Sequence, residues 1–351
     1  MLDRAGTLND IAKLASGELG RPYLNVCTAA SVDGYAAFGA AITKDGFKST
    51  HTCPAPRALV ADSAVVACAP ARLTATGYGD LIEKIPAGAD WILADLLGVE
   101  AIDEYVWGLV QGPLRESLSR PEDLAEGNPR AIELLAEGSI MSGLAMQAAK
   151  SSRPASGAGH QFSHVWEMEG HGLDWEPPLS HGFKVGVGTV ASLALWELFL
   201  ALKPEDLDVD RALAAVKSPD AVEAEVRAVL GPRIQDEAVR HTLAKRIDGA
   251  ALVARVERLR EVWPELTARC GAQILPASDA MERLRTVGAP WHPSLIGIDH
   301  ERLRATYGKA RMIRNRYTVL DILTDLGLLD EFIDRLFAPD GFWGTNCEPV
   351  A

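Results

Sequence analysis

The chain has 351 residues, of which 35 are Lys or Arg and 48 are Asp or Glu, for a formal net charge of −13. Apolar residues make up 48%, too many for a disordered chain, and the length suits two domains or one large domain with an appendage. The acidic balance argues against nucleic acid and anionic membrane as main partners, since both reward stripes of Lys and Arg, but it leaves room for a local basic pocket.

Gly6-Thr7-Leu8-Asn9-Asp10 opens an apolar-periodic segment (Leu8, Ile11, Ala12, Leu14, Ala15) that closes near Gly17. Short β-prone runs follow at 23–28, 47–52 and 58–60, punctuated by Pro54, Pro56 and Pro70. The first 80 residues therefore read as α/β. Beyond Gly79 helical periodicity takes over, at 81–97, 129–150, 188–202, most of 207–266 and 300–336. The mixed charges of 204–266 read as solvated helix faces rather than a docking surface.

The longest apolar stretch, 185–202, has spanning length, but it carries Glu197 and small residues in its first turns. It reads as a buried helix, and no membrane insertion is expected. The N-terminus shows no apolar signal core. Five widely spaced cysteines (Cys27, Cys53, Cys68, Cys270, Cys347) without a Cys-x-x-Cys pair fit reduced thiols and a cytoplasmic location.

Four of the eight histidines fall within 22 residues: His160, His164, His171 and His181. On a helix His160 and His164 lie one turn apart on one face, a spacing that can share a metal or divide metal binding from proton transfer. The zincin pattern needs Glu after the first His, and Gln161 stands there, so a metallopeptidase is excluded. A single helical His is usually a hydrogen-bonded structural residue, whereas three near Gly-rich turns make a metal site an equal reading. Asp80, in Gly77-Tyr78-Gly79-Asp80-Leu81, is expected at a helix start, as an N-cap or as an oxygen ligand. Asp33 follows a strand, where it is either ligand-facing or part of an Asp-Gly turn.

Six motifs occur in order: Gly6-Thr7-Leu8-Asn9-Asp10-Ile11-Ala12-Lys13, Thr28-Ala29-Ala30-Ser31-Val32-Asp33-Gly34-Tyr35, Gly77-Tyr78-Gly79-Asp80, Ser152-Arg153-Pro154-Ala155-Ser156-Gly157, His160-x-x-x-His164 and His181-Gly182. Together they resemble the sn-glycerol-1-phosphate dehydrogenases, especially the bacterial branch. That group belongs with glycerol dehydrogenases, iron-containing alcohol dehydrogenases and dehydroquinate synthases. The similarity runs from Gly6 to about Leu336.

The resemblance implies a mainly α chain: a multihelical metal-binding domain of the dehydroquinate synthase-like fold at 63–351, preceded by a partial α/β (Rossmann-like) nucleotide domain at 1–62. It implies an NAD- or NADP-linked oxidoreductase with one divalent ion, zinc or nickel, that interconverts dihydroxyacetone phosphate and sn-glycerol 1-phosphate. Asp80, His160 and His181 match its metal ligands. Asp33 and His164 match catalytic, substrate-contacting positions, and Asp80 touches substrate as well. Gly6, Thr7 and Asp10 match the dinucleotide-phosphate loop, and Thr28 and Ser31 a second cofactor-contacting segment. Arg153 is a candidate to hold the substrate phosphate, or a structural loop contact. The implied partner is a small phosphorylated polyol, and a homodimer is left open.

Three departures stand beside the match. The family's nucleotide domain starts well before the Gly-Thr-Leu-Asn-Asp segment, so the front half of that domain is expected to be missing and NAD(P)H binding by the chain alone to be weak. Ala37 stands where a Ser is common, and Gly159 where Glu is frequent. The rival readings are a truncated, non-catalytic metal- or ligand-binding module of the same fold, or a dehydroquinate synthase-like lyase.

Overall fold

The computed structural model describes residues 5–44 and 47–346, without the side chains of 5, 7 and 43–50; Cys347 and the Thr7 side chain thus lie outside the described parts. The chain opens with helix α1 (Ala5–Leu19) and four short strands: β1 (Leu24–Cys27), β2 (Ala40–Lys44), β3 (Phe47–His51) and β4 (Ala58–Ala61). β1 pairs in parallel with β4 in the register Leu24↔Ala58 to Cys27↔Ala61, and β2 with β3 forms an antiparallel hairpin inside the crossover. This part is the α/β region expected from the alternation of short runs. Its small sheet leaves Leu24, Val26 and Val60 exposed.

Everything after it is helical. The chain continues through α2 (Ser63–Ala67), α3 (Ala71–Leu81), α4 (Lys84–Leu96), α5 (Glu104–Ser117), α6 (Pro121–Ala125), α7 (Pro129–Ala149), α8 (Ala158–Met168) and α9 (His181–Leu200). It then runs through α10 (Val209–Ala215), α11 (Pro219–Val229), α12 (Gln235–Lys245), α13 (Gly249–Gln273) and α14 (Ala277–Thr286). The last helices are α15 (His300–Ala310), α16 (Val319–Asp325), α17 (Leu329–Phe337) and α18 (Phe342–Thr345).

Their boundaries follow local chemistry. Pro129 occupies the first turn of α7, where its missing N–H costs nothing, and the Asn128 side chain caps Arg130 and Ala131. α17 buries Leu329, Phe332, Ile333 and Leu336 at helical spacing and turns its charges outward. α9 is apolar all round. By length and composition it could cross a membrane, but 83% of its apolar window is buried inside the protein. It is the axis of the core, packed mainly against α3 and α8, with α14, α16 and α17 on its other sides.

Candidate metal centre

Four elements meet at the N-terminal end of α9. His181 is the first residue of that helix, behind Ser180. His160 and His164 project from α8, one turn apart, as their spacing predicts. Asp80 comes from α3, where the structure corrects the sequence reading. The helix begins at Ala71 behind Pro70, and Asp80 lies in its last turn with no capping role. Gly77 and Gly79 lie inside this helix, at positions where neighbouring backbone crosses too closely for a side chain. A Cβ on Gly77 would fall 1.8 Å from the Ala30 carbonyl oxygen, and one on Gly79 2.5 Å from that of Gly182.

Asp33 arrives on the loop after β1. That loop is gripped from α1, where the buried Lys13 ammonium donates to the Gly34 and Gly39 carbonyls at 2.9 and 3.0 Å. It is also held from α7, where Ser142 Oγ donates to Asp33 Oδ2 at 2.9 Å.

Asp80, His160 and His181 each offer one ligand atom within 4.8 Å of the others. His160 Nε2 lies 3.3 Å and His181 Nε2 3.9 Å from Asp80 Oδ1. The His164 ring stacks on His181 with centroids 5.9 Å apart and stands 5.9 Å from His160, so it borders the cluster. His171 stays apart: its Nε2 meets the Ile296 carbonyl and its Nδ1 faces Arg302. Two imidazole nitrogens and one carboxylate oxygen form the borderline donor set that suits a divalent transition ion and leaves positions open for substrate.

Three charged residues that the sequence did not single out complete the site. Lys84, fully buried, places its ammonium 2.8 Å from Asp33 Oδ2 and 3.3 Å from Asp80 Oδ1, and donates to the Asp80 carbonyl. Glu83 Oε2 meets His160 Nδ1 at 2.7 Å, and Glu167 Oε1 meets His181 Nδ1 at 2.8 Å.

The electrostatics follow from this crowding. Burial pushes the Asp80 carboxyl up, but Lys84 and then the two imidazoles pull it well below the usual carboxylate range. Burial pushes the Lys84 ammonium down, and Asp33, Asp80 and Glu83 together raise it above its ordinary value. Burial likewise disfavours a charged His160, yet Glu83 and Asp80 lift its imidazole to about 9 when no ion competes for the lone pair.

The remaining candidates are placed less centrally. Arg153 is buried and commits its guanidinium to the carbonyls of Asp90 and Tyr317 and to Glu100, which is the structural role rather than the anion-holding one. Gly6 and Asp10 lie on α1, with Asp10 3.5 Å from Lys13 Nζ. Thr28 is exposed at the end of β1, and Ser31 Oγ pairs with the Tyr35 hydroxyl at 2.8 Å.

Comparison with known proteins follows the same lines. The profile of the family described as iron-containing alcohol dehydrogenase matches residues 5–70. A probable glycerol dehydrogenase from Sinorhizobium meliloti shares the fold at 18% identity and a TM-score of 0.54, over 93% of this chain and 75% of that one. A glycerol-1-phosphate dehydrogenase (NAD(P)+) from Halalkalibacterium halodurans is 38% identical over 193 residues, 55% of this chain and 48% of the relative. The chain thus spans about half the length of several curated relatives it matches, and more of others. The relative of the same name from Bacillus licheniformis is 30% identical over 331 residues, 69% of its own length. With that similarity extending over 94% of its residues, the chain belongs to the glycerol-1-phosphate dehydrogenase family.

Proposed function

We propose that this chain carries the metal- and substrate-binding apparatus of an NAD(P)-linked oxidoreductase that interconverts dihydroxyacetone phosphate and sn-glycerol 1-phosphate. Residues 1–62 are assigned to an α/β nucleotide-binding domain and 63–351 to the helical domain. The observation that carries the reading is the convergence of Asp80, His160 and His181 from three helices onto one point. These three would hold a zinc or nickel ion, which when bound supplies Lewis-acid polarisation of a substrate oxygen. A bound nicotinamide supplies the hydride acceptor or donor.

The chain's own residues do the rest. Asp33, on the loop facing Asp80, is placed to accept a hydrogen bond from a substrate hydroxyl beside the ion site. His164, one turn from His160 and stacked on His181, is placed to pass the proton between the substrate oxygen and solvent. Four free thiols among the described residues suit a reducing, cytoplasmic setting.

The test is metal titration of the chain by calorimetry, alongside reduction of dihydroxyacetone phosphate, followed by nicotinamide absorbance, in a version extended to the length of the curated relatives. His160→Ala and His181→Ala should each abolish stoichiometric zinc or nickel binding. His164→Ala should keep the ion and lower turnover by about 10²–10⁴-fold. Metal loss in His164→Ala equal to that in His160→Ala would make His164 a ligand and overturn the division of roles. Turnover of glycerol in preference to the phosphorylated substrate would overturn the substrate assignment.

A further inference from the structure

We infer that Glu83 and Glu167 are positioning residues that set the tautomer and aim of the two metal-binding imidazoles; this rests on the metal reading proposed above. An imidazole has two nitrogens, and only the one without a proton can take an ion. A carboxylate can only accept a hydrogen bond, so Glu83 at 2.7 Å fixes the proton of His160 on Nδ1 and Glu167 at 2.8 Å does the same for His181. In both neutral rings the lone pair is then on Nε2, the atom that faces Asp80 Oδ1. The same arrangement on both rings, from one acid in the turn between α3 and α4 and one on α8, is the outer-shell geometry that orients metal-ligating histidines.

The two acids are held with different rigidity, which predicts unequal effects. Glu83 is fully buried, and its second oxygen accepts from the Gly157 and His160 backbone N–H groups at 3.0 and 3.3 Å. Gly159 makes room for it, since a Cβ there would lie 2.8 Å from Glu83 Cγ. A glutamine at 83 must keep its oxygen on those N–H groups and so turns its NH2 toward Nδ1. That donor forces the proton of His160 onto Nε2, where it blocks the ion. Glu167 has a side chain 14% exposed, so a glutamine there can rotate to present its oxygen and keep the tautomer.

The experiment titrates the full chain with Co2+ by visible absorbance and Zn2+ by calorimetry, comparing wild type, Glu83→Gln, Glu167→Gln, Glu167→Ala and the control Glu169→Gln. Glu169 pairs with Arg302 and Lys309 outside the cluster. Metal affinity should fall by about 10–100-fold in Glu83→Gln and Glu167→Ala, with a changed Co2+ spectrum, and much less in Glu167→Gln. Wild-type affinity and spectrum in both Glu83→Gln and Glu167→Ala would overturn the inference while leaving the metal site standing. If Glu83→Gln fails to fold, Glu167→Ala against Glu167→Gln still decides, because equal losses in the two would mean the tautomer is not what is being held. No ion binding by the wild type would instead overturn the metal reading itself.

Discussion

Lys84 is the residue on which the two acidic halves of the site depend. One buried ammonium serves Asp33, which comes from the α/β region, and Asp80, which comes from α3. The Asp33 N–H also donates to Asp80 Oδ2 at 3.1 Å, so the two carboxyl groups are close neighbours. Removing the cation leaves two uncompensated buried carboxylates, and breaking a buried pair in this way costs about 3–5 kcal/mol. Lys84→Met should therefore lower the thermal midpoint strongly in chelator, and Zn2+ should restore more stability to the variant than it adds to wild type. Melting curves with and without EDTA check this, and an equal metal effect in both proteins would show that Lys84 does not neutralise the pair. Asp33, Asp80 and the histidines were visible in the sequence because their flanking glycines and spacing are distinctive. Lys84, Glu83 and Glu167 were not, because charged residues on helices are ordinarily solvated and only packing reveals which are enclosed.

At the scale of elements, the site is assembled by close helix crossings. α9 and α8 touch through glycines: a Cβ on Gly188 would fall 2.3 Å from the Gly159 carbonyl oxygen and 3.1 Å from Phe162 Cβ. Gly188→Ala must push the two helices apart, at a cost of about 1–3 kcal/mol or more, since backbone has no rotamer by which to yield. It should also weaken zinc binding, because His160 and His181 ride on the separated helices. Denaturant melts and zinc titration of the variant check both effects, and unchanged zinc affinity would mean that the crossing distance does not govern the site. Helical periodicity was enough to foresee α7, most of α9 and the helices of 207–266 and 300–336, but not α8, whose short run lies between Gly-rich turns. It misplaced the start of α3, because glycines at 77 and 79 look like breakers until Ala30 and Gly182 are seen lying against them. The parallel pairing of β1 with β4 around an intervening hairpin was also illegible, since runs of four residues carry no partner information.

Across the whole molecule, Asp90 ties together segments far apart in sequence. Its carboxyl accepts from Ala158 N–H at the start of α8 and from Val319 N–H at the start of α16, while its carbonyl receives Arg153. Burial pushes the carboxyl up to about 7, and the two backbone donors and Arg153 only partly oppose it. The folded chain therefore keeps this proton between the ordinary carboxylate range and about pH 7, whereas the unfolded chain has released it. Raising the pH through that window withdraws stability, and above it the effect is level. The stability of wild type relative to Asp90→Asn should accordingly fall as pH rises from about 4 to about 7, by up to roughly tenfold in the folding equilibrium per pH unit. Paired melts over that range check it, and a flat difference would show Asp90 ionised throughout. α9, the apolar axis of this assembly, bears on how the chain is made. Its main partners α3 and α8 leave the ribosome before it, but α14, α16 and α17, which close its other sides, come only afterwards. A nascent chain that has just completed α9 thus shows one bare apolar flank until the C-terminal helices emerge, and its need for chaperone cover is greatest in that interval.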